Sequence, residues 1–453
     1  MTPPCSIMSL PSELLEEVVL SLNLQDVCNL RLAASGIASQ IAQGSFRAHF
    51  KSKSVRVSCE DFRCFAMVTQ PNWLGCALEH LTIIGSPQEN IDAGEPDDAE
   101  ISELLLKALK QLRANSKTGA LRSINLAVED TTVMREHFSY TCDWRLIWKC
   151  ADKTARLLAR AMLGSAIPVQ SLDLYSSTPR CALNSSQLQT LLDTFDMPEL
   201  RSLSFAVSNN EDGTVDDEGV GLSKCLKRFL IRHARGMEEL NMRWLNLHLT
   251  DVPYAKIERQ RFFDGFAGLS LPSLNTLSLK GMEITSEALV SFLSTNPQVR
   301  RINLEWLHIL AGKFDAVCIQ MTKCLELDSI YLNDLWERRL LEFPGADGPA
   351  HFPGYGFPTW TLRTGLGTRE KIQYRDVTGN MKGSFAANNW RRERGQLYGP
   401  PGVMENSPFN RFPAEVRNRI YFMALANGAA IPARNVAEHT GFLQTCRQIR
   451  GEA

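Results

Sequence analysis

One short pattern keeps returning along this chain and limits what it can fold into: apolar, two residues, apolar, one residue, apolar. It appears as LEHLTI from Leu78, LRSINL from Leu121, VQSLDL from Val169, LRSLSF from Leu200, MEELNM from Met237, LNTLSL from Leu274, VRRINL from Val299 and LDSIYL from Leu327. In a chain of this length about a dozen such matches arise by chance, so the context has to carry the signal. Gly119, Pro168, Pro198, Gly236, Pro272 and Pro297 each stand one or two residues before a start. A turn residue there ends a preceding helix and admits a short strand. The intervening segments supply helices, with apolar residues at helical spacing over Ile101 to Leu112, Ser185 to Phe195 and Ser286 to Leu293. The chain is therefore predicted to be α/β.

Strand, loop, helix and Pro-marked turn in succession resemble a leucine-rich repeat. Such a unit cannot bury its apolar face alone, and stacked neighbours complete one core. The starts are unevenly spaced, from 25 residues between Leu274 and Val299 to 48 between Leu121 and Val169. The resemblance thus implies an irregular solenoid over residues 51–335, with long insertions on the helical side. An unrelated α/β domain is the competing reading.

The N-terminal fifty residues are different. Pro11 suits the first turn of a helix, and Leu14, Leu15, Val18, Val19 and Leu22 follow as one stripe. Glu13, Glu16 and Glu17 crowd the first turns, where the helix dipole favours negative charge. Asp26 is the expected N-cap of a second helix through Val27 and Leu30, and Ile37 and Ile41 mark a third. Three short helices have too little core to bury all these stripes among themselves. The order Leu10, Pro11, Glu13, Leu14, Leu15, Val18, Val19, Leu22, Asp26, Val27, Leu30, Arg31 and Ser35 resembles an F-box. Residues 1–50 are read as that module. Followed by repeats, it resembles a fungal F-box and leucine-rich-repeat protein.

Beyond Trp336 the pattern stops. PGADGPAHFPGYGFP, from Pro344, is too rich in Gly and Pro for a regular element, and Arg363 to Arg394 carries eight Lys or Arg against three acids. Residues 336–407 are read as a linker with an irregular basic segment, a strap or solvated tail rather than a nucleic-acid site. In residues 408–453, Phe412, Pro413, Glu415, Arg417, Ile420 and Tyr421, then Leu443, Thr445, Cys446, Arg447, Ile449 and Glu452, resemble a fungal F-box-like helical module. It stops at Ala453, where that family continues, and Met404 opens it like a separate protein, as a fusion of two gene models would. Two acidic stretches, Ser86 to Glu100 and Asn209 to Glu218, lack the spacing of a calcium loop and are read as solvated loops.

Composition excludes several classes. A net charge of −1 gives no global attraction to nucleic acid or membrane, and no run of apolar residues is long enough to span a bilayer. Twelve cysteines without a framework fit thiols in a reducing compartment, cytoplasmic or nuclear. The eight histidines show no metal-ligand spacing, and neither a nucleophile elbow nor a phosphate loop occurs. No catalytic residue, metal or cofactor is assigned, and the protein is read as not an enzyme.

The resemblance implies a substrate-recognition subunit of a cullin-type ubiquitin ligase. The F-box would dock the small cullin-linked adaptor protein through Leu10, Pro11, Leu14, Leu15, Val18, Leu22, Val27 and Leu30. The repeats would hold an unknown target protein. Alternation along a strand sends the residues between core positions to the opposite face. In the later repeats these include Arg243, Lys280, Arg301, Glu305 and Tyr331, types common among interface anchors. The target is expected there. The alternative is a non-ligase scaffold that uses the same N-terminal helices for internal packing.

Overall fold

The computed structural model describes residues 11–22, 24–33, 49–71, 73–87, 98–129, 143–178, 181–208, 221–245, 253–344 and 358–376. Among them the chain is mixed α/β, with ten α-helices and a mostly parallel sheet. It divides into two compact units, residues 1–244 with 265–277, and residues 245–264 with 278–453. The third N-terminal helix, the two acidic stretches in large part, and residues 408–453 lie outside the described residues.

In the first unit, strands β1 (Ser52–Arg56), β2 (His80–Gly85), β3 (Leu121–Val128), β4 (Val169–Leu174), β6 (Ser202–Ser208) and β7 (Glu239–Trp244) lie side by side in chain order, with short β5 (Leu183–Asn184) beside β6. These strands pair in parallel. Helices α1 (Ser12–Ser21) and α2 (Leu24–Ala33) come first. Then α3 (Cys59–Val68), α4 (Asp98–Asn115), α5 (Asp143–Ser165), α6 (Ser185–Thr194) and α7 (Gly221–His233) carry the chain between strands. Side chains start several of these helices: Ser58 accepts from Asp61 N–H at 3.1 Å, and Asn184 from Ser186 N–H at 3.2 Å.

The recurring pattern sets the register. Leu81 pairs with Ile124, Ile124 with Leu172, Leu172 with Leu203 and Leu203 with Leu240, so equivalent apolar positions stack across the sheet. Turn backbones are tied sideways at the strand entrances. Glu79 and His80 donate to Lys51 O, Arg122 and Ser123 to Glu79 O, and Glu238 and Glu239 to Arg201 O. Glu79 joins Lys51 and Arg122 in ion pairs of 2.9 and 2.8 Å. The Lys51 hydrogen bond, with Arg122 nearby, holds this carboxyl below its ordinary range.

In the second unit, β8 (Thr276–Lys280), which begins in the first, neighbours β10 (Arg301–Glu305), and β10 pairs in parallel with β12 (Ser329–Asn333). Strand β14 (Trp360–Thr364) then pairs antiparallel with β12. Helices α8 (Pro253–Phe262), α9 (Ser286–Thr295) and α10 (Phe314–Ile319) complete the unit, with a second short ladder of β9 (Glu283–Thr285) and β11 (His308–Ala311). Strands β13 (Leu341–Glu342) and β15 (Arg375–Asp376) also pair. Three strands thus lie in the described parts of residues 336–407, the segment read as a linker. Antiparallel pairing there carries no copy of the recurring pattern, which is why its strands are silent in sequence.

All three apolar positions of all eight pattern copies are at most 5% exposed. Along a strand their neighbours face the other way, so each sheet has one apolar face under the helices and one polar face.

A repeated turn closes the strands of the second unit. Gly281, Trp306 and Asp334 follow β8, β10 and β12 directly and have φ of +74°, +54° and +53°. Each N–H donates sideways, to Glu305 O, Asn333 O and Thr359 O respectively. Glycine adopts this left-handed geometry at little cost, whereas a Trp or an Asp is held there by its surroundings.

Candidate functional site

Several polar residues of the first unit's open face are paired among themselves. His80 Nδ1 lies 2.9 Å from Ser123 Oγ, and Ser202 Oγ donates to Glu239 at 3.2 Å. A histidine beside a serine could be a base and its nucleophile. However, the Ser123 N–H is engaged by Glu79 O, so it is not available as an oxyanion donor. No group of three or more His, Cys, Asp or Glu among the described residues is placed to hold a metal ion.

Of the residues expected to touch a target, Arg243 is in the wrong place. It is only 4% exposed, and its guanidinium donates to Ser176 O at 3.2 Å and Thr178 O at 3.5 Å. The turn after β4 folds over it, because Tyr175 takes a left-handed φ of +67° and Asp173 accepts from Ser176 N–H at 2.7 Å. Arg243 is therefore an internal clamp on that turn and cannot anchor a partner. Burial pushes the Asp173 carboxyl up, while its hydrogen bonds to Ser176 and Ser177 pull it down.

Lys280, Arg301, Glu305 and Tyr331 all fall on the open face of the second unit. Lys280 Nζ is 3.2 Å from Glu305 and 4.3 Å from the centre of the Trp306 ring. Asn303 Nδ2 donates to Glu305 at 3.0 Å. Tyr331 stands opposite Asn303 on one side and Leu362 on the other, and Asn333 stands opposite Glu305 and Trp360. Burial, with Glu305 and Asp334 nearby, pushes the Tyr331 phenol up to about 12, so it stays protonated at neutral pH. Arg301 is exposed and Leu362 is 55% exposed at the rim. Sequence reasoning places Asn303 on this face with the others, and missed Asn333 and the Trp306 ring. Asn303 and Asn333 sit at outward positions of the pattern, which was the signal available.

The residues expected to dock an adaptor separate into two groups. Leu15, Val19 and Val27 form a buried cluster, against which Leu22, Leu30, Phe50 and Leu74 pack. Leu15 and Val27, at 2% and 0% exposed, present no docking surface. Pro11 is exposed, Leu14 is 49% exposed and Val18 is half-buried. Leu10 lies outside the described residues. Asp26 falls in the first turn of α2 and not at its cap, since the helix starts at Leu24.

A cavity of about 340 Å³ lies at the strand entrances of the first unit, lined by Gln170, Pro198, Glu199, Arg201, Gly236, Glu238 and Ser273. Arg201 is paired with Glu238 at 3.1 Å and Ser273 Oγ donates to Arg235 O, so several polar groups there already have partners. None of the cysteines described is in a disulfide, and Cys181, Cys225 and Cys318 are buried. No helix among the described residues is long and apolar enough to cross a membrane.

No family model matches the chain, and no curated protein matches it. A solved structure of a protein from Bacteroides fragilis, from a structural genomics consortium, aligns with 61% of this chain and 73% of its own, at 12% identity and a TM-score of 0.33.

Proposed function

We propose that this chain is a non-catalytic recognition subunit of a cullin-type ubiquitin ligase, in the cytoplasm or nucleus. Helices α1 and α2 act as the F-box and hold the small adaptor, and leucine-rich-repeat-like strands hold a target protein. Holding both raises the target's effective concentration beside the ubiquitin-charged enzyme. The observation that carries this reading is the pattern itself, with eight copies buried on one face and a polar face turned outward. For the adaptor it is Leu14, which leaves nearly half its surface outside the packed cluster in a motif that resembles an F-box.

A second reading is favoured by one contact set. Phe50 and Leu74 pack on the Leu15, Val19 and Val27 cluster, as they would in a scaffold whose N-terminal helices cap its own strands.

Capture of recombinant adaptor by the full chain separates the two. Leu14→Asp adds a charge at an already exposed position, so folding is unaffected and adaptor capture falls at least about tenfold. Undiminished capture by the variant rules out this docking face. No capture by the unaltered chain leaves the scaffold reading.

A further inference from the structure

The outer faces of α4 and α5 carry positive charge that the fold leaves unspent. Ile101, Leu105, Ala108, Leu109 and Leu112 turn one side of α4 into the core, so its other side faces out. Lys107 and Lys110 stand on that outer side, Lys117 lies just beyond the end of α4, and Lys149, Arg156 and Arg160 recur at helical spacing on α5, all exposed. Lys153 meets Asp98 at 2.8 Å and Arg113 donates to Ser165 O at 2.9 Å. These contacts set the two helices side by side, with Arg160 level with the stretch from Glu103 to Lys107. Among the described residues, Lys107, Lys110, Lys117, Lys149 and Arg160 have no ion pair. The acids nearby are engaged. Asp98 holds Lys153, Glu100 holds Arg63, and Asp152 is half-buried beside Arg156 with a bond from Asn184 N–H. Glu103 is the one exposed acid of these helices left without a partner among the described residues. The whole chain carries a charge of −1, so the cations gathered here make a local positive field. Like charges on one helix face are destabilising until an anion joins them.

The chemistry of that anion can be narrowed. A groove of about 500 Å³ lies over α4, lined by Lys107 and Lys110 and walled with Leu106, Ala114 and Pro71. Beside it, Gly164 packs on Leu106, and the adjacent Leu163 is 65% exposed. Single-stranded nucleic acid is held by stacking its bases on aromatic rings, and no aromatic side chain lines this groove. Glu103 at its edge also repels a phosphate chain. A bilayer needs more apolar area than one exposed leucine to hold it. An acidic peptide carrying an apolar residue satisfies the cations, fills the groove and brings main-chain N–H groups for Glu103.

We infer that the outer face of α4 and α5 binds an acidic peptide segment of a partner protein, whose carboxylates meet Lys107, Lys110 and Arg160 and whose apolar side chain enters the groove over Leu106. This surface lies on the helices, apart from Leu14 and from the polar face of the strands. It uses neither the adaptor-docking nor the target-binding reading, and its failure leaves both intact.

The probe is a displayed library of random twelve-residue peptides, selected on the full chain and depleted on the full-length variant Lys107→Glu, Lys110→Glu, Arg160→Glu. All three positions are exposed and without ion pairs, so the variant melts no lower than the unaltered chain. Resynthesised peptides carry several Asp or Glu around an apolar residue, and the variant binds them at least about tenfold more weakly. A second arm uses only the unaltered protein. Replacing the peptide's Asp and Glu by Asn and Gln lowers affinity about tenfold or more, and replacing its apolar residue by Ser lowers it about fivefold. The inference fails if depletion leaves no peptide that distinguishes the two proteins, if the peptides left are not acidic, or if the amide replacements are silent. Tighter binding of single-stranded poly(U) RNA or of phosphatidylserine vesicles, lost on the same variant, gives the face to another class of partner and overturns it too.

Discussion

Replacing Asp152 by Asn should stabilise this protein at neutral pH. Asp152 lies on α5, accepts a hydrogen bond from the Asn184 backbone N–H, and leaves its Oδ1 buried without a donor. Burial pushes its carboxyl from 3.8 up to about 6, against the opposing pull of Arg156 and the Asn184 bond. The native proton affinity is thus above the unfolded one. The stability tied to this group is fully present below pH 3.8 and is lost as pH rises through 6. Two powers of ten in proton affinity correspond to about 3 kcal/mol lost at pH 7.5. Asparagine keeps the acceptor for Asn184 but brings an NH₂ that needs a partner, which offsets about 1 kcal/mol. The net gain is about 1–2 kcal/mol, or a rise of roughly 2–8 °C in the melting temperature of a unit this size. Calorimetry at pH 7.5 and pH 4 is the assay. The advantage should be largest at pH 7.5 and nearly vanish at pH 4, where the native carboxyl is already neutral. An equal shift at both values, or a loss at pH 7.5, refutes the argument.

Two further outcomes concern the second unit. Arg259 and Glu283 form an ion pair of 2.8 Å with side chains 3% and 4% exposed, so Arg259→Met alone should cost about 3–5 kcal/mol in urea unfolding, while adding Glu283→Leu recovers most of it. Gly281→Ala forces a Cβ into a φ of +74° and should lower stability by about 1–2 kcal/mol, read by the same assay.

The apolar skeleton was legible because it obeys one period. Leu121, Ile124 and Leu126 could be paired in advance with Val169, Leu172 and Leu174, and Pro198 and Gly236 marked where strands begin. Strand β1 was not, because Val55 is its single buried residue. The turns at Trp306 and Asp334 were hidden as well, since neither is the glycine that advertises a left-handed backbone. Arg243 illustrates a deeper limit. Its strand position faces outward, yet the turn from Tyr175 to Thr178 covers it, and that turn lies in a different part of the sequence. The N-terminal stripe was readable as apolar, but which surface would cover it depended on Phe50 and Leu74, residues outside the stripe.

Strand β14 has a consequence for how such a chain can lengthen. Strands β10 and β12 before it run one way, and each turn amide of this unit reaches forward to the next strand, ending with Asp334 on Thr359 O. A duplicated strand-and-helix segment inserted after β12 would have to displace β14 and take over its acceptor. One inserted earlier in the series meets parallel edges on both sides and a matching turn to receive it. Among the described residues, an inserted strand-and-helix segment is therefore expected to be tolerated inside the parallel series and not between β12 and β14.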